Sequence, residues 1–230
     1  MTGTKYIFSN VVLHLALGLI LIIFIQYSNF DVWVSNQFFN ALSNQFILQK
    51  YSTLGNQLHD KSKIILIIIG LIFWLISLGH IIKNEWFINK NIIKKINFIS
   101  AMSIIIPVII LIIRDNSLSH CPRDLIIFNG SYNYFKLLDI KSSGLAPGHC
   151  NPASHAASFV WLMSIPWAFL NGSSRVKAYF LTILFAILMS SVQIARGAHF
   201  LSHILWSVWI SSFIITIAYE FHSKKHQDNG

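Results

Sequence analysis

The chain has 230 residues, 54% of them hydrophobic and only 11% charged, with a mean hydropathy of +0.60. A soluble domain carries about a quarter charged residues, so this composition excludes one and points to an integral membrane protein. The formal net charge of +9 is split across two faces of the membrane, not gathered into a nucleic-acid-binding patch, and no nucleic-acid partner is expected.

Six apolar runs approach the length of roughly 20 residues needed to cross a bilayer core. The first, "FSNVVLHLALGLILIIFIQYS", covers 8–28. Lys5 precedes it, but the run is long for a signal peptide and no A-x-A-like site follows, so it is expected to remain uncleaved. The next stretch, "NQFFNALSNQFILQKY", sets Phe38, Leu42 and Phe46 at i, i+4 and i+8 with Phe39 beside them. That stripe predicts a short amphipathic helix in the membrane interface, or a small extramembrane cap packed on itself. Runs over 63–82 and 95–113 follow, the latter with Pro107 inside it, where neighbouring helices can re-satisfy the freed carbonyl. The last three, 155–171, 177–195 and 200–220, are interspersed with Ser, His, Gln and Trp, as in helices that pack together or line a site. The expectation is an all-α polytopic protein, a single domain over 1–230 with six transmembrane helices.

Cations near helix ends orient the bundle. With both termini cytoplasmic, Lys5, Lys83, Lys90, Lys94, Lys95, Arg175, Lys177, Lys224 and Lys225 lie inside, in short segments. Lys50, Lys61, Lys63, Arg114, Arg123, Lys136, Lys141 and Arg196 then lie outside, in longer ones.

The chemistry-bearing residues collect on that outer side, in "RDNSLSHCPRDL", "PGHCNPASH" and "RGAH". His14 and His80 stand alone in apolar spans and read as packed, hydrogen-bonded residues. His155 opens the fourth span, where backbone N–H groups and the helix dipole favour an anion. Arg196 and His199 share a face at i, i+3, and Arg114 ends the third span. Taken singly, each is also an ordinary helix start or a snorkelling cation. Phosphoryl transfer needs fixed donors, an in-line nucleophile and an acid for the leaving oxygen. Arg114, Arg123, His155, Arg196 and His199 supply all three.

The three segments resemble the signature of the type 2 phosphatidic acid phosphatase superfamily of membrane lipid phosphatases: Lys-x6-Arg-Pro, Pro-Ser-Gly-His, then Ser-Arg-x5-His-x3-Asp. Arg114 stands for the lysine, Cys121 for the arginine, and Pro122 follows. Pro152 and His155 match the second motif, with Ala153 and Ser154 between them. His199 matches the third, with Gln193 at the arginine position and His203 at the aspartate position. Arg196, one turn after Gln193, can reach the same phosphate, and Arg123 stands close to the empty arginine position. The chain is also similar to members with a Cys-Pro-x-Asp-Leu first motif and an Arg-Gly-Ala-His-Phe third.

The resemblance implies that His199 attacks phosphorus, that His155 protonates the leaving alkoxide and then activates water, and that Arg114, Arg123 and Arg196 neutralise phosphate oxygens. It implies no cofactor and no metal. His203 or Asp124 (or Asp115) is expected to orient His199 in place of the aspartate. An outward site suits a phosphorylated envelope lipid of a bacterial inner membrane: lipid A first, then undecaprenyl pyrophosphate or phosphatidylglycerol phosphate. Phosphate transfer between lipids uses the same site, and an inactive descendant would keep it without turnover. A different class would use His199, His203, His149, Cys150 and His155 as metal ligands, or His14 with His80 around a haem. The family's architecture brings Cys121 and Cys150 together on an oxidising face, which predicts a disulfide closing a loop of about 30 residues and contributing roughly 3–4 kcal/mol.

Overall fold

A computed structural model describes residues 3–48, 53–82, 89–139 and 146–227. Lys50, Lys83 and Lys141, used in the orientation argument, lie outside the described residues, as do the side chains of Lys5, Lys224 and Lys225. The elements in chain order are α1 (Gly3–Tyr27), α2 (Phe30–Asn36), β1 (Phe39–Asn40), β2 (Gln45–Phe46), α3 (Thr53–Ile82), α4 (Lys90–Asp115), α5 (Ser154–Val160), α6 (Ser164–Phe169), α7 (Gly172–Ala195) and α8 (Leu201–Gln227).

Five of these helices (α1, α3, α4, α7 and α8) are long and apolar enough to cross a membrane. Their outer faces are apolar as well. Leu13, Ile20, Ile65, Leu75, Ile112 and Phe180 are all exposed, a surface that water would not tolerate and lipid does. This is a mostly helical, multi-pass membrane bundle.

The fourth predicted span is shorter than expected. The stretch 155–171 forms α5, a 3₁₀ turn over Trp161–Met163 and α6, ending at Phe169. Pro166 has no N–H to donate to the Leu162 carbonyl, and the turn before it tightens accordingly. At 1.5 Å per residue the broken rod is roughly 24 Å long, less than a bilayer core. It is shielded from lipid: Val160, Met163 and Ser164 are fully buried among α4, α7 and α8. α4 supplies the other half of that core through Ile99, Met102, Ile106 and Ile110. α1 packs on α8, where Trp209 Nε1 donates to the His14 carbonyl at 2.8 Å.

The amphipathic helix expected over Phe38–Phe46 is instead a two-residue antiparallel hairpin, with Phe39 opposite Phe46. Asn40 stops the helix because its Oδ1 accepts from the N–H groups of Leu42 and Ser43, and Asn44 takes the left-handed conformation at φ 54°. A side chain competing for backbone donors favours a turn over a helix. Leu42 is 98% exposed, whereas Phe46 is buried with Leu125, Phe128 and Phe200. The small packed cap, not the interfacial helix, is what forms.

Candidate active site

The helix ends named from the sequence meet at one end of the bundle. Arg114, at the last turn of α4, donates through one terminal nitrogen to Ser154 Oγ at 2.8 Å, clamping the heads of α4 and α5. Its Nε and other terminal nitrogen donate to Asp115 Oδ1 at 3.0 and 2.6 Å. His155, the next residue of α5, presents its ring edge-on to His199, with centroids 5.4 Å apart. His199 sits in the turn between α7 and α8, and its ring lies 5.8 Å from that of His203.

That turn is shaped by Gly197, at φ +62°. A Cβ on Gly197 would lie 2.4 Å from the Phe46 ring, so the hairpin seats itself where only glycine leaves room. Leu48 N–H also donates to the Ala195 carbonyl. Gln193, at the position where the resemblance expects arginine, is buried. Its carbonyl accepts from the N–H groups of Ala198 and His199, so it contributes to the turn rather than adding charge.

His199 is buried, and its Nδ1 lies 3.0 Å from the Cys150 carbonyl oxygen. A carbonyl only accepts, so Nδ1 carries the proton and Nε2 keeps the lone pair. Burial holds the imidazole pKa well below its ordinary 6.5, reinforced by His203, His155 and Arg123 and opposed by the Cys150 carbonyl. A neutral imidazole with a free Nε2 is the form a nucleophile requires.

The Cys150 carbonyl that orients His199 belongs to a residue bonded through sulfur to Cys121. Gly148 permits the approach: a Cβ there would lie 2.3 Å from the Ser119 carbonyl oxygen, and His149 and Cys150 donate to Ser117 and Ser119.

The three arginines differ in placement. The Arg123 charge helps lower the His199 pKa, and its backbone N–H donates to the Gly197 carbonyl at 2.9 Å. Arg114 stands at the head of α4 beside α5. Arg196 is the C-cap residue of α7. Asp124, expected as an orienter, lies 3.8 Å from Arg123 Nε, while the Nδ1 acceptor is the Cys150 carbonyl. Asp115 is held by Arg114.

The metal-ligand alternative finds a different arrangement. Both Cys sulfurs are consumed in the disulfide, and His149 is exposed. His14 has both ring nitrogens engaged, with Asn10 O at 2.8 Å and Ser212 Oγ at 2.7 Å, which leaves neither for a haem.

One contributor, Asp31, carries no sequence signal of its own. Asp31, buried on α2, accepts from the Ser202 N–H at 2.9 Å and so caps the start of α8, which bears His203. Burial raises its carboxyl pKa above the ordinary range. Behind His203, a cavity of about 20 Å³ is lined by Asp31, His120, Asn151 and Lys136 among others, room for about one water molecule.

A larger cavity, about 560 Å³, opens from Arg114, Ser154 and His155. It runs between α3, α4 and α5 along Leu66, Gly70, Trp74, Ile104 and Trp161. Its walls are overwhelmingly apolar below the polar mouth.

No protein-family model, no curated protein and no solved structure matches the chain.

Proposed function

We propose that the protein is an integral membrane phosphatase acting on a phosphorylated envelope lipid through a phosphohistidine. The observation that carries this reading is a buried His199, its Nδ1 turned to the Cys150 carbonyl, set ring to ring with His155, which shares a cavity mouth with Arg114.

In the first step the Nε2 lone pair attacks phosphorus and the bond to the lipid alkoxide breaks, with the alkoxide taking a proton from His155. In the second, water attacks the phosphohistidine, His155 accepts its proton, the P–N bond breaks and inorganic phosphate leaves. Arg123, Arg114 and Arg196 offset the charge on the equatorial oxygens. Among the described residues, His203 occupies the aspartate position of the motif, and the orienting role passes to the Cys150 carbonyl.

The groove below Arg114 and His155 supports a lipid as substrate: a phosphate at the mouth and acyl chain along Leu66, Gly70 and Ile104 would each meet matching surroundings. The disulfide at this end supports placing the site on an oxidising face, periplasmic in a bacterial inner membrane, with both termini cytoplasmic.

Release of inorganic phosphate from lipid A, undecaprenyl pyrophosphate and phosphatidylglycerol phosphate by purified protein in detergent tests the reading. At least one lipid should be hydrolysed with a higher kcat/KM than soluble p-nitrophenyl phosphate. No phosphate release from any of them would overturn it.

A pH profile follows from the burial of His199. The reactive form is the neutral ring, and a lowered pKa extends that form to lower pH. With p-nitrophenyl phosphate, whose leaving group needs no acid, phosphoenzyme formation should stay flat from about pH 7 to 6. An acid limb centred at or above the ordinary histidine pKa of 6.5 would contradict the burial argument.

A further inference from the structure

We infer that Cys150 is a positioning residue for His199, and that its bond to Cys121 keeps the Cys150 carbonyl on the imidazole; this rests on the phosphatase reading above. Three restraints converge on this one fully buried residue. Its sulfur is bonded to Cys121, its N–H donates to the Ser119 carbonyl at 3.1 Å, and its carbonyl meets His199 Nδ1 at 3.0 Å. The sulfur also lies against the turn itself, 3.4 Å from His199 Nδ1.

A carbonyl is only as fixed as the segment that bears it, and residues 146–153 form neither helix nor strand. The disulfide supplies what secondary structure does not. Cys121 precedes the turn Pro122–Asp124, whose Arg123 N–H is bonded to the Gly197 carbonyl. The path therefore closes on itself, running from the α7–α8 turn through Arg123, Cys121, the sulfur bridge and the Cys150 carbonyl back to His199 in the same turn.

The consequence is a locked tautomer. An imidazole whose Nδ1 has lost its acceptor partitions between two neutral forms, and the one protonated at Nε2 cannot attack phosphorus. Breaking the bridge should therefore slow phosphoryl transfer rather than weaken substrate binding.

The test uses wild-type protein in detergent with a water-soluble phosphine. The S–S bond breaks, two thiols form with protons from water, and the phosphine becomes its oxide; alkylation and mass spectrometry count the thiols. Two quantities are then read: p-nitrophenyl phosphate kinetics, and ¹⁵N spectra of ring-labelled histidine, with His199 assigned by loss in His199→Gln. We expect kcat to fall about 10- to 100-fold, the scale of losing an orienting partner, with KM held within about twofold. The His199 signals should move from a single Nδ1-protonated form toward a two-tautomer average while helical circular dichroism persists. Cys121→Ser combined with Cys150→Ser should reproduce both changes.

Fully reduced protein with unchanged kcat and an unchanged tautomer would overturn the proposal. So would a fall confined to the active fraction, read as phosphoenzyme amplitude, with the tautomer unmoved. If the oxidised protein hydrolyses no phosphate ester, the phosphatase reading fails, and the tautomer shift alone still decides whether the bridge positions His199.

Discussion

Replacement of His199 by alanine is expected to remove turnover by about 10⁴-fold or more, the scale seen when a covalent nucleophile is deleted. The variant should still insert and keep its helical circular dichroism, since the turn is held by backbone bonds from Gln193 and Arg123 that do not involve the imidazole. His155→Ala should behave differently. With p-nitrophenyl phosphate the first step needs no acid, but hydrolysis of the intermediate lacks its base, so phosphoenzyme should accumulate. Acid-labile ³²P on the protein, absent in His199→Ala and enriched in His155→Ala, is the signature sought. Substantial turnover in His199→Ala would sink the phosphohistidine mechanism.

Gly197→Ala should be the most damaging conservative change outside the histidines. The residue holds φ +62°, which costs a non-glycine residue about 1 kcal/mol or more. The added methyl would also meet the Phe46 ring at 2.4 Å. That ring cannot swing away freely, because Phe39 and Phe128 both pack on it with centroids 5.2 Å away. Overpacking of this kind adds about 1–3 kcal/mol, so a total loss of about 2–4 kcal/mol is expected in thermal unfolding. Activity should fall with it, since the His199 backbone N–H is bonded within the same turn. Adding Phe46→Ala should recover the steric part and leave the backbone part. Non-additivity between the two sites would establish that the hairpin bears on the turn. A loss under about 0.5 kcal/mol in Gly197→Ala alone would show that the hairpin does not dock there.

Much of the bundle was legible in the chain because its determinants are local. An apolar run is long enough to cross hydrocarbon or it is not, and α1, α3, α4, α7 and α8 follow directly from that length. The two exceptions have particular causes. The run at 155–171 is apolar enough, but Pro166 and burial among its neighbours make it a short, broken element. The stripe Phe38–Leu42–Phe46 has helical period, but Asn40 and Asn44 divert the backbone into a turn, and period alone does not register that competition. Within the site, histidines and arginines at helix ends could be named from residue type and spacing.

What spacing could not supply was direction. Nothing in "GHCNPASH" says that the Cys150 carbonyl will accept from His199, forty-nine residues away in sequence, because every residue has a carbonyl and only the folded chain aims one. Asp31 is equally silent: an acid after a transmembrane run is ordinary until α2 carries it to the N-terminus of α8. The sequence by itself therefore determined the medium in which this protein lives and the helix ends that carry its charge. Hydrophobic length and residue type are sums over neighbours in the chain. The tertiary structure alone decided which nitrogen of His199 faces the Cys150 carbonyl and where an apolar cavity meets Arg114 and His155. Those depend on contacts closed across the bundle, by the bridge from Cys121 to Cys150 and by Phe46 lying over Gly197.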